Sequence, residues 1–328
     1  MNISAPDQKI LVLGGSGFIG QQLCEHLARA GHRITVPTRR AANARAVQHL
    51  PLLTVLEANV HDASQLAQLV AGHDCVVNLV AILQGKPAAF DAVHVALPKA
   101  IATACKTAGV DRLVHVSALG VSGTAPSNYL KSKWAGEQVY QASGLANLAI
   151  VRPSVVFGTG DSFTNLFAKL LAVAPVLPLA GAGAQFQPVW VDDLAKLLAI
   201  LATCLRIHSL PCYKNNSAIV EAAGPEVVSF KQWVAQIGQL TGNPRPIINL
   251  PKPLATAQAM LMELAPGVPL MSRDNLASLT VPNIATGQHG QLRDFGITPS
   301  SLAAIGPSYL KLAGPHSALE GLRKLNRS

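Results

Sequence analysis

The sequence predicts an α/β fold in which helices cover both faces of a doubly wound parallel sheet. Three observations support this class. Short apolar runs alternate with helical patterns from Lys9 to Arg152, a glycine-rich turn follows the first run, and the run Asp74–Ala81 is almost continuously apolar. Continuous apolar runs are typical of parallel strands buried on both faces, and the alternation is typical of β-α-β units.

Each element of this alternation is predicted in chain order. A strand over Lys9–Leu13 precedes a helix that runs through Ala30. The further strands are predicted at Arg33–Pro37, Leu52–Glu57, Asp74–Ala81, Arg112–Ser117 and Ala146–Arg152. The helices between them are predicted at Ser64–Val70, Val95–Ala108 and Tyr129–Ala142. The order predicts a Rossmann-type sheet, since each strand is followed by a helical crossover.

The pattern loosens after Pro153, where proline, glycine and short apolar segments dominate up to Pro188. A strand near Ala218–Ala222 is expected to resume the sheet, and helices are predicted at Ser229–Leu240 and Leu254–Leu264. We therefore expect a first domain over 1–155, with its sheet completed by roughly 188–224. A smaller interleaved C-terminal α/β domain over 156–328 is expected to serve a substrate or partner.

The composition is apolar and poor in charge. Of 328 residues, 49% are hydrophobic and 13% charged, about half of the usual ~25% charged. This balance excludes a disordered chain or a coiled coil. A membrane span is not expected, because the apolar stretch Asn165–Ala184 is broken by a lysine and two prolines, and Leu194–Leu205 is shorter than the roughly 20 residues required. The N-terminus shows no secretory pattern, so a cytoplasmic protein is expected.

The net charge of +9 is concentrated in part in residues 229–328, which hold nine Lys/Arg and four Asp/Glu. This region either favours an anionic partner or membrane surface, or is a basic solvated surface. Nucleic acid is not an expected partner, because the basic residues do not interleave with aromatic ones. Five widely spaced cysteines without a Cys/His cluster indicate a reducing compartment and no metal site.

A glycine-rich turn directly after the first strand predicts a dinucleotide site. Gly14 permits a tight turn, Gly17 allows backbone amides to approach a pyrophosphate, and Gly20 allows the helix to pack closely on the strand. The helix N-terminus adds unpaired N–H groups for phosphate. The other residues of this turn predicted to contact the dinucleotide are Ser16, Phe18 and Ile19.

Arg39 and Arg40 follow the second strand, where an NAD site has an acidic residue. A guanidinium can pair with a 2′-phosphate, so the sequence favours NADP(H) over NAD(H). The alternative is that both arginines are solvated loop charges.

The ordered motifs resemble the short-chain dehydrogenase/reductase superfamily in its extended or atypical branch. The segments that carry the resemblance are Gly14–Gly20, Asn59–Asp62, Asn78–Ala81, Tyr129–Lys133, Arg152–Gly158 and Pro188–Ala195. The resemblance implies that all of these segments except Pro188–Ala195, which matches a downstream V-x-D-D motif, flank a bound dinucleotide. The further cofactor contacts that it implies are Asn59, Val60, Val80, Ala81, Lys133, Pro153 and Val156.

The C-terminal half resembles one subgroup, the family of the NADPH-binding accessory subunit of respiratory complex I and its bacterial relatives. The matching segments are Leu250–Pro251, Ser272–Leu276, Phe295–Pro299 and Pro307–Leu310. The resemblance implies an NADPH-holding protein with an accessory or quinone-related role. It also implies a membrane-bound respiratory or quinone-related complex as partner, with the chain peripheral at the inner face of the membrane.

The resemblance also identifies a catalytic pair, Tyr129 and Lys133, four residues apart and therefore on one helix face. The superfamily places a Ser or Thr hydroxyl just after the fifth strand, but Ala118 occupies that position here. Ser117 is adjacent, although strand alternation directs neighbours to opposite faces.

These features leave alternatives open. The first is an NADPH-holding protein, and the second is an active NADP-dependent oxidoreductase that acts on an apolar carbonyl or quinone-like substrate through Tyr129 and Lys133. A sugar epimerase or dehydratase is less favoured, because Asp161 and Lys169 are the only charged residues between 160 and 190.

Overall fold

The structure, a computed structural model, describes residues 7–264 and 271–310. These residues form two compact units. The described residues of the first unit are those up to Pro153, Val191–Ala222 and Ala285–Thr298. Those of the second unit belong to Ser154–Trp190, to Ala223–Ile284 and to the segment that begins at Pro299. Residues 1–6 of the predicted first domain, and 265–270 and 311–328 of the predicted second domain, lie outside the described ranges.

The strands and helices are numbered here along the chain. The strands are β1 (Lys9–Leu13), β2 (Arg33–Thr38), β3 (Leu53–Glu57), β4 (Cys75–Asn78), β5 (Arg112–Val116), β6 (Asn147–Pro153), β7 (Val156–Phe157), β8 (Leu177–Ala180), β9 (Gln185–Phe186), β10 (Val189–Trp190), β11 (Tyr213–Lys214), β12 (Ser217–Ala222), β13 (Val228–Ser229), β14 (Ile247–Leu250) and β15 (Gly290–Gln291). The helices are α1 (Phe18–Arg29), α2 (Ala63–Val70), α3 (Pro87–Asp91), α4 (Leu97–Ala108), α5 (Asn128–Gln141), α6 (Ser162–Val173), α7 (Val191–Thr203), α8 (Phe230–Leu240), α9 (Lys252–Leu264), α10 (Arg273–Ser278) and α11 (Leu302–Tyr309).

The first unit is built on one large sheet. Its strand order is β11-β12-β6-β5-β4-β1-β2-β3, with β15 beside β12. All pairs are parallel except β11 with β12. The chain order reverses at β1, which pairs with β2 on one side and β4 on the other. The predicted Rossmann-type α/β fold is confirmed, and its switch point lies at the carboxyl end of β1, where such sheets bind ligands.

Strand β4 is shorter than the sequence predicts, because it ends at Asn78 rather than Ala81. The Asn78 side chain ends the strand: its Oδ1 accepts a hydrogen bond from Val80 N, and its Nδ2 donates to Tyr140 Oη at 2.9 Å. The buried His115 lies 3.3 Å from the same Nδ2 through its Nδ1. Asn78 therefore bends the chain out of the sheet and joins a buried polar network.

The predicted helix Val95–Ala108 also has a wrong start. The helical run begins at Pro87, in α3, and reaches α4 through a π-helical turn over Ala92–Ala96. By length and composition, Pro87–Ala108 is the one helical run in the described part of the chain that could cross a membrane. Within the first unit, however, Leu97, Ile101 and Cys105 on this run pack into the core beneath the sheet. A buried core helix meets the same criterion, so the run carries no weight as a span.

The π-helical turn adjoins helix α5 at a very short distance. The carbonyl oxygen of His94 lies where a Cβ on Gly136 would be, so any other residue at position 136 would overlap it. A glycine inside a helix costs about 1 kcal/mol relative to alanine. The close crossing of α5 and the π-helical turn explains why a glycine occupies position 136.

A buried ion pair attaches α5 to the sheet. Arg152 on β6 donates from Nε to Glu137 Oε1 at 2.9 Å and from Nη2 to Oε2 at 2.6 Å. The Glu137 side chain is fully buried and the Arg152 side chain is 17% exposed. His289 Nε2 lies 3.4 Å from Arg152 Nη1. The bidentate geometry satisfies both carboxylate oxygens, as a buried charge requires.

The second unit has three two-stranded pairs in its described part: β7 with β10, β8 with β14, and β9 with β13. Its core is aromatic. The rings of Phe163 and Phe230 stack with centroids 5.6 Å apart, and Phe186 meets Phe230 edge-on at 5.5 Å. Trp233 is fully buried against the same cluster. Aromatic contact at these distances adds roughly 0.5–1.5 kcal/mol per pair to the burial term.

We predict that Glu137→Ala destabilises the protein strongly. The substitution leaves the Arg152 guanidinium largely buried without its carboxylate partner, which costs about 3–5 kcal/mol in the free energy of unfolding. Denaturant unfolding measures this loss. Arg33→Ala is the control, because the Arg33–Asp7 pair is 58% and 55% exposed and such pairs contribute about 0–1 kcal/mol. Equal losses in the two variants would contradict the assignment.

Candidate functional site

The glycine-rich turn after β1 forms a tight backbone loop. Gly14 adopts a left-handed conformation with φ +85°, and a Cβ there would lie 3.3 Å from backbone and side-chain atoms of Leu79. Gly15 N donates to Val12 O at 3.2 Å, and Gly17 N donates to Gly14 O at 3.0 Å. The chain thus turns back over the end of β1 within four residues and enters α1.

Two glycines in this turn are required by close approach. A Cβ on Gly20 would overlap Gly14 O and the Gly15 backbone. A Cβ on Gly15 would lie 2.7 Å from Val36 Cγ2. A role for Gly20 is predicted from the sequence, whereas none is predicted for Gly15, because the side chain that requires a glycine there, Val36, lies on the neighbouring strand β2.

The N-terminus of α1 suits an anion. Its capping position is Gly17, which supplies no side-chain cap, and the first turn carries no acidic residue. The first backbone N–H groups of a helix lack intrahelical partners, and the helix dipole favours negative charge there. Ser16, Phe18 and Ile19 are partly exposed around this turn. The residues present therefore fit a dinucleotide pyrophosphate.

Arg39 and Arg40 lie just past the end of β2, and both are exposed. Within the described residues, neither guanidinium has an ion-pair or hydrogen-bond partner. Glu57, at the end of β3, accepts a hydrogen bond from Ala41 N at 2.6 Å. The loop that carries the arginines is thus held by its backbone, which leaves both cations available to an anionic ligand.

The segments after β3 and β4 follow the same edge of the sheet, since all these strands are parallel. Asn59 is exposed, and its Oδ1 accepts a hydrogen bond from His61 N at 3.1 Å. Val60 and Val80 are half-buried and pack against the core, whereas Ala81 is exposed. The carboxyl ends of these strands place the four residues at the edge where the glycine-rich turn lies.

The last two predicted cofactor contacts belong to different units. Pro153 is buried at the end of β6, and its carbonyl accepts from Leu119 N at 3.0 Å. Val156 belongs to the second unit, where it pairs with Val189 in the β7–β10 ladder. Both remain predicted cofactor contacts.

Tyr129 and Lys133 lie in the first two turns of α5, whose N-cap Ser127 accepts from Leu130 N at 3.2 Å. Lys133 is 2% exposed, and its Nζ donates to Val116 O at 2.6 Å. This bond places the ammonium at the end of β5, directly before Ser117 and Ala118. An ammonium has three donors, so further N–H groups of Lys133 remain for a ligand.

Burial sets the protonation of both groups. It raises the pKa of Tyr129 to about 12, so the phenol keeps its proton at neutral pH. It lowers the pKa of Lys133 to about 8, against the opposing effect of the Glu137 carboxylate. At neutral pH the phenol therefore carries a proton that it can donate, and it is not available as a base.

The position after β5 at which the resemblance implies a Ser or Thr hydroxyl carries none. Ala118 is there, and it is 8% exposed. The hydroxyl of Ser117 is buried without a hydrogen-bond partner among the described residues. Ser117 N, in turn, donates to Val151 O at 2.7 Å, so its backbone continues the sheet pairing.

His94 is a site residue that the sequence analysis did not identify. Burial and the Lys133 charge lower its pKa to about 3, so the ring is neutral. Ile82 N donates to its Nε2 at 3.2 Å, which leaves the ring proton on Nδ1, 2.8 Å from Ser132 Oγ. Ser132 Oγ donates in turn to Tyr129 O at 2.9 Å. Neutral His94 thus connects the segment after β4 to the backbone of Tyr129.

The rings around Tyr129 complete this arrangement. His94 meets Tyr129 edge-on with ring centroids 5.8 Å apart, and Phe90 lies at 6.3 Å. One sequence feature could have indicated that His94 lies close to α5: the glycine at position 136, inside a helix.

Residues 10–206 match the family described as the NAD dependent epimerase/dehydratase family. The match spans more than half of the chain. The chain belongs to the NAD dependent epimerase/dehydratase family. Membership supports dinucleotide binding by this chain and agrees with the predicted superfamily resemblance, while the loop and helix N-terminus described above remain the predicted site.

Two curated relatives extend this result. The chain is 30% identical over 305 residues to NADH dehydrogenase (ubiquinone) 1 alpha subcomplex subunit 9, mitochondrial, of Mus musculus, with 89% of this chain and 76% of that protein covered. It is 30% identical over 267 residues to 2-alkyl-3-oxoalkanoate reductase of Stenotrophomonas maltophilia, with 72% and 77% covered. The predicted resemblance to the complex I accessory subunit is confirmed. The relatives of the chain also include a reductase.

A solved member of the epimerase/dehydratase fold is similar over nearly the whole chain. It is dTDP-glucose 4,6-dehydratase of Streptomyces venezuelae with NAD and TYD bound. The TM-score is 0.67 at 20% identity, with 92% of this chain and 96% of that chain covered. The likeness shows a shared fold.

We predict that Gly20→Ala abolishes dinucleotide binding. The added Cβ overlaps Gly14 O and forces the turn away from the end of α1, so the phosphate-binding amides are displaced. Isothermal titration calorimetry with NADPH and NADH measures the effect. Gly183→Ala is the control, because a Cβ there meets no atom within 4 Å. Wild-type affinity in Gly20→Ala would contradict the assigned geometry.

Proposed function

We propose that this protein binds NADP(H) and holds it as a lasting ligand rather than turning it over. The observation that carries the proposal is the contrast, within the first unit, between a complete dinucleotide-binding turn and an incomplete catalytic site. The glycine-rich turn and its arginines are complete, whereas Ala118 replaces the hydroxyl that would hold a substrate oxygen. A site can then retain the dinucleotide while lacking a donor for substrate positioning and for a developing oxyanion.

The preference for NADP(H) is supported by the charges after β2. Arg39 and Arg40 are exposed, are free of competing partners among the described residues, and occupy the position of the usual ribose-binding carboxylate. Bidentate pairing of a guanidinium with a 2′-phosphate is among the strong hydrogen-bonding arrangements in proteins. The proposed contacts to the rest of the cofactor are the individual residues predicted above, of which Ser16 and Val156 are examples.

A ligand that is held without turnover can stabilise the fold. Its contribution grows as RT ln(1 + [L]/Kd), which is about 2.7 kcal/mol at a hundredfold excess over Kd. We propose that the first unit, centred on residues 1–155, holds the dinucleotide and that the second serves a partner. The mouse relative is named as a subunit of a ubiquinone-linked dehydrogenase. The proposed partner is accordingly a membrane-bound respiratory or quinone-related complex, with this cytoplasmic chain at the inner face of the membrane.

A second candidate is an active NADP-dependent reductase, favoured by the intact pair Tyr129 and Lys133. A bound reduced dinucleotide supplies a hydride to a carbonyl carbon. The Tyr129 phenol, which is protonated at neutral pH, supplies a proton to the carbonyl oxygen, and the product is an alcohol. The Stenotrophomonas relative is named as a reductase of 2-alkyl-3-oxoalkanoates. An apolar carbonyl or quinone-like compound is the substrate class of this candidate.

We predict that Arg39→Ala weakens NADPH binding and leaves NADH binding unchanged. Loss of charge-assisted hydrogen bonds of about 1.5–3 kcal/mol corresponds to a rise in the Kd for NADPH of roughly tenfold to a hundredfold. Titration of the wild type, Arg39→Ala and Arg40→Ala with both dinucleotides measures this. Arg45→Ala is the control, since Arg45 is exposed in the same loop. An unchanged preference for NADPH in both Arg39→Ala and Arg40→Ala would contradict the 2′-phosphate assignment.

We predict that the wild type, purified with NADPH, does not oxidise it with quinones, aldehydes or 3-oxo acids, and that Ala118→Ser introduces this activity. The new hydroxyl supplies the missing donor, and such donors contribute roughly 10²–10³ in kcat. Absorbance of NADPH follows turnover. The double variant Ala118→Ser with Tyr129→Phe is expected to lose the activity again while retaining cofactor. Wild-type turnover that Tyr129→Phe removes would instead establish the reductase candidate.

A further inference from the structure

The second unit contains a cavity of about 800 Å³. None of the residues that line it is a predicted dinucleotide contact. Its walls come from the turn after β8, the end of β14, the first turns of α9, and α10 with the segment after it. A volume of this size falls within the roughly 300–1,000 Å³ of small-molecule sites.

The walls of this cavity are mainly apolar and include several small side chains, and the uncharged polar residues among them are Gln185, Asn249, Thr256 and Thr280. The residues that form them include Ala182, Ala255, Ala277, Leu250, Leu276 and Leu279. Ala255 and Ala182 are buried. Small residues on facing elements keep the space open, because longer side chains at the same positions would fill it. The interior therefore suits a slender aliphatic chain.

The charge of the lining has a single sign. Lys252 and Arg273 are its charged side chains, and no aspartate or glutamate lines the cavity. Lys252 is exposed, and its ammonium has no partner among the described residues. The two cations stand on α9 and α10, the two helices of the lining.

The Arg273 guanidinium is held in place by Glu263. Arg273 Nε donates to Glu263 Oε2 at 2.9 Å, and Arg273 N donates to Oε1 at 2.7 Å. These bonds lower the pKa of Glu263, so its carboxylate is ionised at neutral pH. Glu263 engages Nε, so the Nη1 and Nη2 groups, which no described residue occupies, remain available to an anion. A guanidinium fixed in this way is suited to bind a carboxylate.

We propose that this cavity binds a long-chain carboxylate, with its alkyl chain against the apolar walls and its carboxylate at Lys252 and Arg273. The alkyl chain loses contact with water at roughly 25 cal/mol per Å² of buried apolar area. The two cations select against uncharged and cationic heads. This binding goes beyond the proposed function, because it requires neither NADP(H) nor turnover.

Calorimetric titration of the full chain tests the proposal with oleate, oleyl alcohol and oleylamine below their aggregation concentrations. These probes share the chain and differ in the head. Oleate is expected to bind at one site, at least about tenfold more tightly than the other two, because charge-assisted hydrogen bonds supply the difference. Equal affinity for oleate and oleyl alcohol would overturn the proposal. Binding of dioleoyl phosphatidate but not of oleate would also overturn it.

Substitutions locate the site. Lys252→Glu is expected to weaken oleate binding at least about tenfold by reversing one of the two cations, and Ala277→Phe is expected to remove it by filling the cavity. Lys169→Glu is the matched control, since Lys169 is exposed on α6 and does not line the cavity. Wild-type oleate affinity in Lys252→Glu would overturn the proposal even if Ala277→Phe does not fold. NADPH affinity, measured in parallel, is expected to be unchanged in Lys252→Glu.

Discussion

The anchoring of helix α5 on the sheet is the constraint on which the site depends. Three contacts fix it: the Glu137–Arg152 ion pair, the bond from Lys133 to the Val116 carbonyl, and the close approach of Gly136 to the His94 carbonyl. Each lies on the face of α5 that meets the sheet or the π-helical turn. Tyr129 is one helical turn from Lys133, so its position relative to the end of β5 follows from these contacts.

The same anchoring explains why the polar groups at this end of the sheet are neutral or paired. His94 is uncharged because it is buried beside the Lys133 ammonium, and Glu137 is paired with Arg152. A second charge near Lys133 would require another partner inside the core. The chain instead uses a neutral imidazole, which accepts from the Ile82 backbone and lies next to Ser132.

Much of the first unit could be predicted from sequence, because periodicity and turn chemistry are local. β1 and the glycines at positions 14, 17 and 20 follow directly from this pattern. The end of β4 could not be predicted, since the buried polar network that Asn78 joins includes Tyr140, which is distant in sequence. Gly15 and His94 were missed for the same reason: each owes its role to a neighbour on another element. β15 has two residues, too few to show any periodicity.

The second unit was harder to predict. Its strands β7, β9, β10 and β13 have two residues each, and its packing depends on aromatic contacts between separate elements. The long helices α8 and α9 were predicted to within two residues of their bounds, because their patterns extend over several turns. The cavity between α9, α10 and the turn after β8 combines segments that are far apart in sequence.

Ala118 also bears on how easily the chain could change its chemistry over evolutionary time. Alanine and serine codons of the GCN and TCN sets differ by one base, and position 118 is a small, buried site at the end of a strand. The glycine-rich turn, Tyr129 and Lys133 are all in place. On the proposed function, one nucleotide would separate a lineage that holds its dinucleotide from one that oxidises it, and descendants of a single ancestor could change between the two without rebuilding the fold.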